Sequence, residues 1–148
     1  MHLSIRQAGL GDAEALLALL TQMHGEAAVR HTPISPAKAL AHIEAAISGG
    51  GVFITEIDRE IVGSIGGVIA TDWWSDTPVF GDKWFYVVPK HRRSRAAHLL
   101  FKAFSETARN RGLIRKAGVV DGNEADRKDR FFESFGLVRA GSTYQESR

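Results

Sequence analysis

Apolar residues along this chain alternate at first and then fall at helical intervals, and each change of period marks an element. Residues 3–8 (LSIRQA) alternate apolar and polar side chains as a half-buried strand does. Within residues 9–26, Ala15, Leu16, Leu19, Leu20 and Met23 form a stripe at helical spacing, with Asp12 placed to cap the start. Residues 30–36 read as a loop. Ser35-Pro36 then supplies the N-cap and first-turn proline of a second helix running to about Ser48, and Gly49-Gly50-Gly51 ends it. Two strands follow over residues 52–58 and 60–70, joined by a tight turn at Asp58-Arg59. Residues 71–82 are turn-rich and read as a loop, and residues 83–89 (KWFYVVP) as a buried strand. The longest helix is expected from about Arg93 to Arg111, closed by Gly112. A strand over 113–120, a helix over 124–134 and one or two strands within 137–146 complete the order.

Hairpin-connected strands followed by strand–helix–strand crossovers imply a mixed sheet with helices on both faces, an α/β architecture. No repeat, low-complexity tract or linker interrupts it, so residues 1–148 read as a single domain. A content of 44% hydrophobic and 24% charged residues suits a globular chain with its own core and excludes a disordered one. No apolar run reaches the length of a membrane span, and no basic-then-apolar leader opens the chain. A cytoplasmic location away from membranes is therefore expected, and the absence of cysteine agrees with it.

Net charge is only +2, and its distribution says more than its size. In VVPKHRRSRAAHLL, residues 87–100, Lys90, His91, Arg92, Arg93 and Arg95 crowd the point where a strand gives way to a helix. A helix N-terminus carries partial positive charge and unpaired N–H groups, so each added cation costs roughly a few tenths of a kcal/mol at an exposed site. A bound polyanion such as a pyrophosphate would offset that repulsion. A solvated surface turn is the plainer alternative. Lys102, Arg109, Arg111, Arg115 and Lys116 extend the basic character, as a nucleic-acid surface would require. Yet Phe101 and Phe104 fall at core spacing, and Glu106, Asp121, Asp126 and Asp129 break the positive field, so nucleic acid is not the expected partner. The six histidines show no metal-ligand spacing, and neither a Gly-x-Ser-x-Gly elbow nor a P-loop lysine is present.

The segment FYVVPKHRRSRAAHLL resembles the acetyl-CoA-binding signature of the GCN5-related N-acetyltransferases, in which a strand leads to Gln/Arg-x-x-Gly-x-Gly/Ala at the start of a long helix. The opening IRQAGLGDAEALLALL and the closing FFESFGLVRAGSTY are similar to other parts of the same family, so the resemblance spans the chain. It implies a mixed, mostly antiparallel sheet of six to seven strands and an N-acetyltransferase that uses acetyl-CoA, or a related acyl-CoA, without a metal. Backbone groups of Val87 and Val88 would hold the pantetheine arm and thioester. Amides of Arg92, Arg93, Ser94, Arg95, Ala96 and Ala97, with His98, would hold the pyrophosphate. The family's first glycine is Arg95 here, whose amide still serves if its φ stays helical.

Amide formation from a thioester needs a neutral amine, so proton removal is the main chemical demand. The position from which many family members protonate the departing thiolate is Phe132, which carries no proton to give. Tyr144 is a substitute acid if it is not simply strand packing, and Glu56, projecting from a strand, is a candidate base. Around the acceptor, the expected lining is Glu26 and His31 from the first inter-helix loop, with Trp73, Trp74 and Asp76 from the turn-rich loop. The two tryptophans form either a cation-stacking wall or a lid over the sheet edge. The acceptor is expected to be a small-molecule amine or a protein or peptide amine, and a homodimer is compatible with the resemblance. A non-catalytic acyl-CoA-binding or regulatory module is the rival reading, motivated by Arg95 and Phe132.

Overall fold

A computed structural model describes residues 2–27, 32–118, 125–141, 144 and 146. Strand β1 (Leu3–Gln7) leads through a short 3-10 turn into helix α1 (Ala13–Glu26) and then α2 (Pro36–Ser48). Strands β2 (Val52–Ile57), β3 (Glu60–Thr71) and β4 (Pro78–Val87) follow, then helix α3 (Ala96–Asn110), strand β5 (Ile114–Lys116) and helix α4 (Ala125–Ser134). The five strands lie in sequence order. The first four are antiparallel to their neighbours, and β5 runs parallel to β4.

Local chemistry accounts for the turns. Asp58 and Arg59 both take positive φ, 51° and 69°, which a two-residue hairpin needs to match the twist of its strands. Ser35 caps α2 by accepting from the Lys38 N–H. Asp12 does not cap α1 with its side chain; its carboxylate accepts from the Gly9 N–H and from Arg6.

The sheet separates two apolar layers. On one face α1 and α2 set Leu16, Leu19, Leu20, Ile43 and Ile47 against Val52, Ile54, Trp84 and Tyr86. On the other, α3 sets Ala96, Leu100, Phe101 and Phe104 against Ile65, Phe80 and Val87, and the α4 residues Phe131 and Phe132 close over Phe85. Gly66 and Gly67 admit the large rings on the two faces. A Cβ would fall 2.4 Å from the Trp84 ring at Gly66 and 2.3 Å from the Phe80 ring at Gly67.

Three expectations need correction. The sheet has five strands among the described residues, not six or seven: residues 137–141, 144 and 146 form no strand. After α4 the Leu137 N–H turns back to Phe132 O at 3.1 Å and Leu137 packs on the core, while Val138 is 85% exposed. Strand β4 begins at Pro78, within the span expected to be a loop, because Phe80 stacks on Phe104 with ring centroids 4.8 Å apart. Helix α3 begins at Ala96, three residues later than expected.

Candidate active site

Strands β4 and β5 pair only where Val79, Phe80 and Gly81 meet Ile114, Arg115 and Lys116. Beyond that point β4 continues alone on this side as far as Val87, among the described residues. The two strands therefore make a fork that opens toward the N-terminus of α3. Register tells which groups face it. Val88 N–H donates to Val62 O at 2.9 Å, so strand alternation turns the N–H groups of Val87 and Phe85 away from β3 and toward the fork. The Val88 N–H is thus committed to β3, and the Val88 carbonyl accepts from the His91 N–H at 2.9 Å.

At the vertex stands Asp82. Its Oδ1 accepts from the Gly118 N–H at 3.0 Å, bridging β4 to the chain after β5. Burial pushes its carboxyl up to about 6, against the opposing pull of backbone N–H bonds. Beside it, Lys83 is an extra residue in β4, because Gly66 faces Trp84 while Gly67 faces Asp82.

The open end of the fork meets the basic turn. Residues 89–91 form a 3-10 turn, and Ser94 Oγ accepts from the Ala96 N–H at 3.2 Å. Leu99 is the first residue of α3 whose N–H reaches back to a carbonyl, that of Arg95, so the Ala97 and His98 amides have no partner one turn behind them. Arg95 has φ −83° and ψ 7°, a conformation open to any residue, and its side chain is exposed. The backbone here asks for no glycine. Arg93 and Arg95 pair with no acidic group among the described residues, and Ala96 is fully buried, fixing the helix start against the sheet. Unpaired amides plus free guanidinium groups at a rigid helix start fit a pyrophosphate.

Arg92 behaves differently from its neighbours. It turns back across the end of β4, with Nε donating to Val87 O at 2.9 Å and Nη2 3.6 Å from Glu26 Oε2. Its guanidinium lies 5.5 Å from the Tyr86 ring centroid, and the Tyr86 hydroxyl donates to Glu26. Burial, and then that bond to a carboxylate, hold the Tyr86 phenol well above its usual range. Sequence reasoning missed Tyr86 and the task of Arg92, since neither follows from spacing.

Other candidates lie elsewhere. Arg6 holds Glu56 at 2.7 Å and also clasps Asp12, whose carboxyl it draws below its ordinary range. Register sets Glu56 beside Ile61, two strands across from the Val87 end of β4, with its carboxylate held by Arg6. Trp73, Trp74 and Asp76 line an open hollow of about 360 Å³ at the tip of the β3–β4 hairpin. Thr71 pairs with Pro78 there, while Gly63 pairs with Val87, so the tip is roughly 30 Å from the open end at about 3.3 Å per strand residue. The structure does not bring these three to the fork. Tyr144 is 91% exposed and in no strand, and Phe132 packs on Phe85 and Phe101. His31 lies outside the described residues.

A family model described as the acetyltransferase (GNAT) family matches residues 14–137, which takes in the fork, the basic turn and α3. The chain belongs to that family. No curated protein sequence gives a significant match. Among solved structures, the GNAT chain is similar to AAC(6')-Iy in complex with the bisubstrate analogue CoA-S-monomethyl-acetylneamine, with TM-score 0.75 and 19% identity over 100% of this chain and 99% of that one. Glucosamine-6-phosphate N-acetyltransferase from Arabidopsis thaliana gives TM-score 0.69 and 13% identity over 100% and 98%. Ribosomal-protein-alanine N-acetyltransferase from Brucella melitensis biovar Abortus 2308 gives 0.67 and 17% over 99% and 99%. These likenesses show a GNAT fold. Among the described residues no helix is long and apolar enough to cross a membrane, and no group of three or more His, Asp or Glu side chains could hold a metal.

Proposed function

We propose that the protein transfers an acetyl group from acetyl-CoA to a primary amine by direct attack. The observation that carries this reading is the continuity of two features: amides and arginines at the start of α3 with no partner among the described residues, adjoining a β4 edge whose N–H groups meet no strand among them. Acetyl-CoA supplies the acyl group as a thioester, which is activated toward amines. Val87 and Phe85 present N–H groups to the fork, where they can stabilise negative charge gathering on a carbonyl oxygen. Asp82 is the terminal acceptor for the amine's proton. Its carboxyl is ionised at neutral pH yet closer to neutrality than an ordinary aspartate, as a base should be. It precedes Phe85 by three residues, roughly 10 Å along the strand, so the proton reaches it through water. The thiol leaving group, with a reference pKa of about 8.5, needs little help, and solvent protonates it in place of Phe132.

Calorimetric titration with acetyl-CoA and desulfo-CoA, paired with thiol release across a panel of amines, tests the reading. Binding with turnover of at least one amine supports it. Absence of any CoA binding overturns it, and binding without turnover on every amine points to the acyl-CoA-binding module that Phe132 would suit.

A further inference from the structure

The group formed by Glu26, Tyr86 and Arg92 has no part in the reaction as described. Glu26 is the last residue of α1, on the sheet face opposite α3, and its side chain is 37% exposed. Its Oε2 takes the Tyr86 hydroxyl and faces Arg92, whereas Oε1 accepts no hydrogen bond among the described residues. A carboxylate fixed by a strand tyrosine and turned partly to solvent beside the fork is a preorganised cation site.

We propose that Glu26 anchors a cationic group of the acceptor, which makes the acceptor a diamine or polyamine: one amine reacts and another stays protonated. This rests on the transferase reading. The attacking nitrogen needs its lone pair, so a carboxylate that held it as an ammonium would slow the attack. A second alkylamine, with a reference pKa near 10.4, keeps its charge at neutral pH. The spacing suits this. One guanidinium, that of Arg92, reaches both the Val87 carbonyl and Glu26, so a chain of a few methylenes spans from the fork to the carboxylate. At 3.6 Å Arg92 is a loose counter-ion, and an incoming ammonium competes with it. Arg92 is therefore the resident counter-ion that the acceptor's cation displaces, and not a phosphate ligand.

The probes are 1,4-diaminobutane and butylamine, measured by calorimetric titration of the intact protein and by KM in the thiol-release assay. The wild type is expected to bind the diamine at least tenfold more tightly than the monoamine. Glu26→Gln is expected to abolish that preference while leaving affinity for desulfo-CoA unchanged. Arg92→Gln removes the competing cation, so it is expected to strengthen diamine binding severalfold, where a merely structural arginine would weaken it. Tyr86→Phe, which keeps the ring packed, is expected to lower the preference without abolishing it. Equal binding of the two amines by the wild type, or a preference that survives Glu26→Gln, overturns the proposal. Acylation of butylamine with no diamine preference would do so while leaving the transferase reading intact; a protein that binds no CoA would instead remove that reading.

Discussion

Replacing Asp82 by Asn should make the protein more stable and less active, and the stability gain should depend on pH in a defined direction. The folded environment raises the carboxyl from its ordinary 3.8 to about 6, chiefly by burial. A raised acid binds its proton more tightly folded than unfolded, so native stability contributed by protonation is fully present below pH 4. It is lost as pH climbs from there through about 6. Two pKa units at about 1.36 kcal/mol each put the loss near 3 kcal/mol at neutral pH. Asparagine keeps an oxygen for the Gly118 N–H and carries no charge to bury. At roughly 2–4 °C per kcal/mol for a domain of this size, the Tm of Asp82→Asn should exceed wild type by about 6–12 °C at pH 7.5. The gap should close toward pH 4. Thermal unfolding of both proteins across pH 4–8 measures it, and a gap that stays constant refutes the argument. Activity should move oppositely. As proton acceptor, Asp82 gives a wild-type kcat that rises with pH through about 6, and its loss should lower kcat by on the order of 100-fold. Unchanged kcat in the variant would remove Asp82 from the reaction.

Three further outcomes follow from the same geometry. Arg93→Ala with Arg95→Ala should weaken CoA binding about tenfold or more and flatten its salt dependence, while sparing stability, since neither side chain has an acidic partner among the described residues; fluorescence titration at two ionic strengths reads both. Gly67→Ala places a methyl 2.3 Å from the Phe80 ring and should cost about 1–3 kcal/mol in urea unfolding, so an unchanged midpoint would contradict the packing. Phe132→Tyr should not raise kcat, because the ring packs on Phe85 and Phe101, and thiol-release kinetics on the folded variant would reveal an acid gained there.

Much of the fold could be read from residue patterns because its signals are local. The Asp58-Arg59 turn, the Ser35-Pro36 helix start and the stripes of α1 and α3 depend only on neighbours in sequence. Strand β4 was harder to read at its start, since Gly81 and Pro78 look like turn residues until Phe104, on the following helix, supplies a ring for Phe80. The candidate site divides in the same way. The anion-binding character of the α3 start is local chemistry, a helix N-terminus with cations beside it. The standing of Glu56 is not, because its partners Arg6 and Asp12 come from another strand and a turn. Asp82 was one of several acidic residues until the pairing of β4 with β5 ended at Gly81 and left it at the vertex of the fork.

The basic turn itself shows why a count of charges misleads. Four consecutive residues, Arg92 to Arg95, look like one electropositive patch, yet the backbone sends them two ways. Arg92 lies in the turn before α3 and reaches the α1 side of the sheet, where Val87 O and Glu26 receive it. Arg93 and Arg95 remain exposed on the approach to the helix start, with Ser94 between them bonded to His91 O and Ala96 N–H. Opposed charges at the helix dipole are thus two, not three. Their repulsion, at roughly a few tenths of a kcal/mol each, is small beside the 1.5–3 kcal/mol that one charged hydrogen bond to a phosphate can return. Arginine at position 95 also fits this accounting: with φ at −83° the backbone needs no glycine, and the side chain adds a cation where the amides already point.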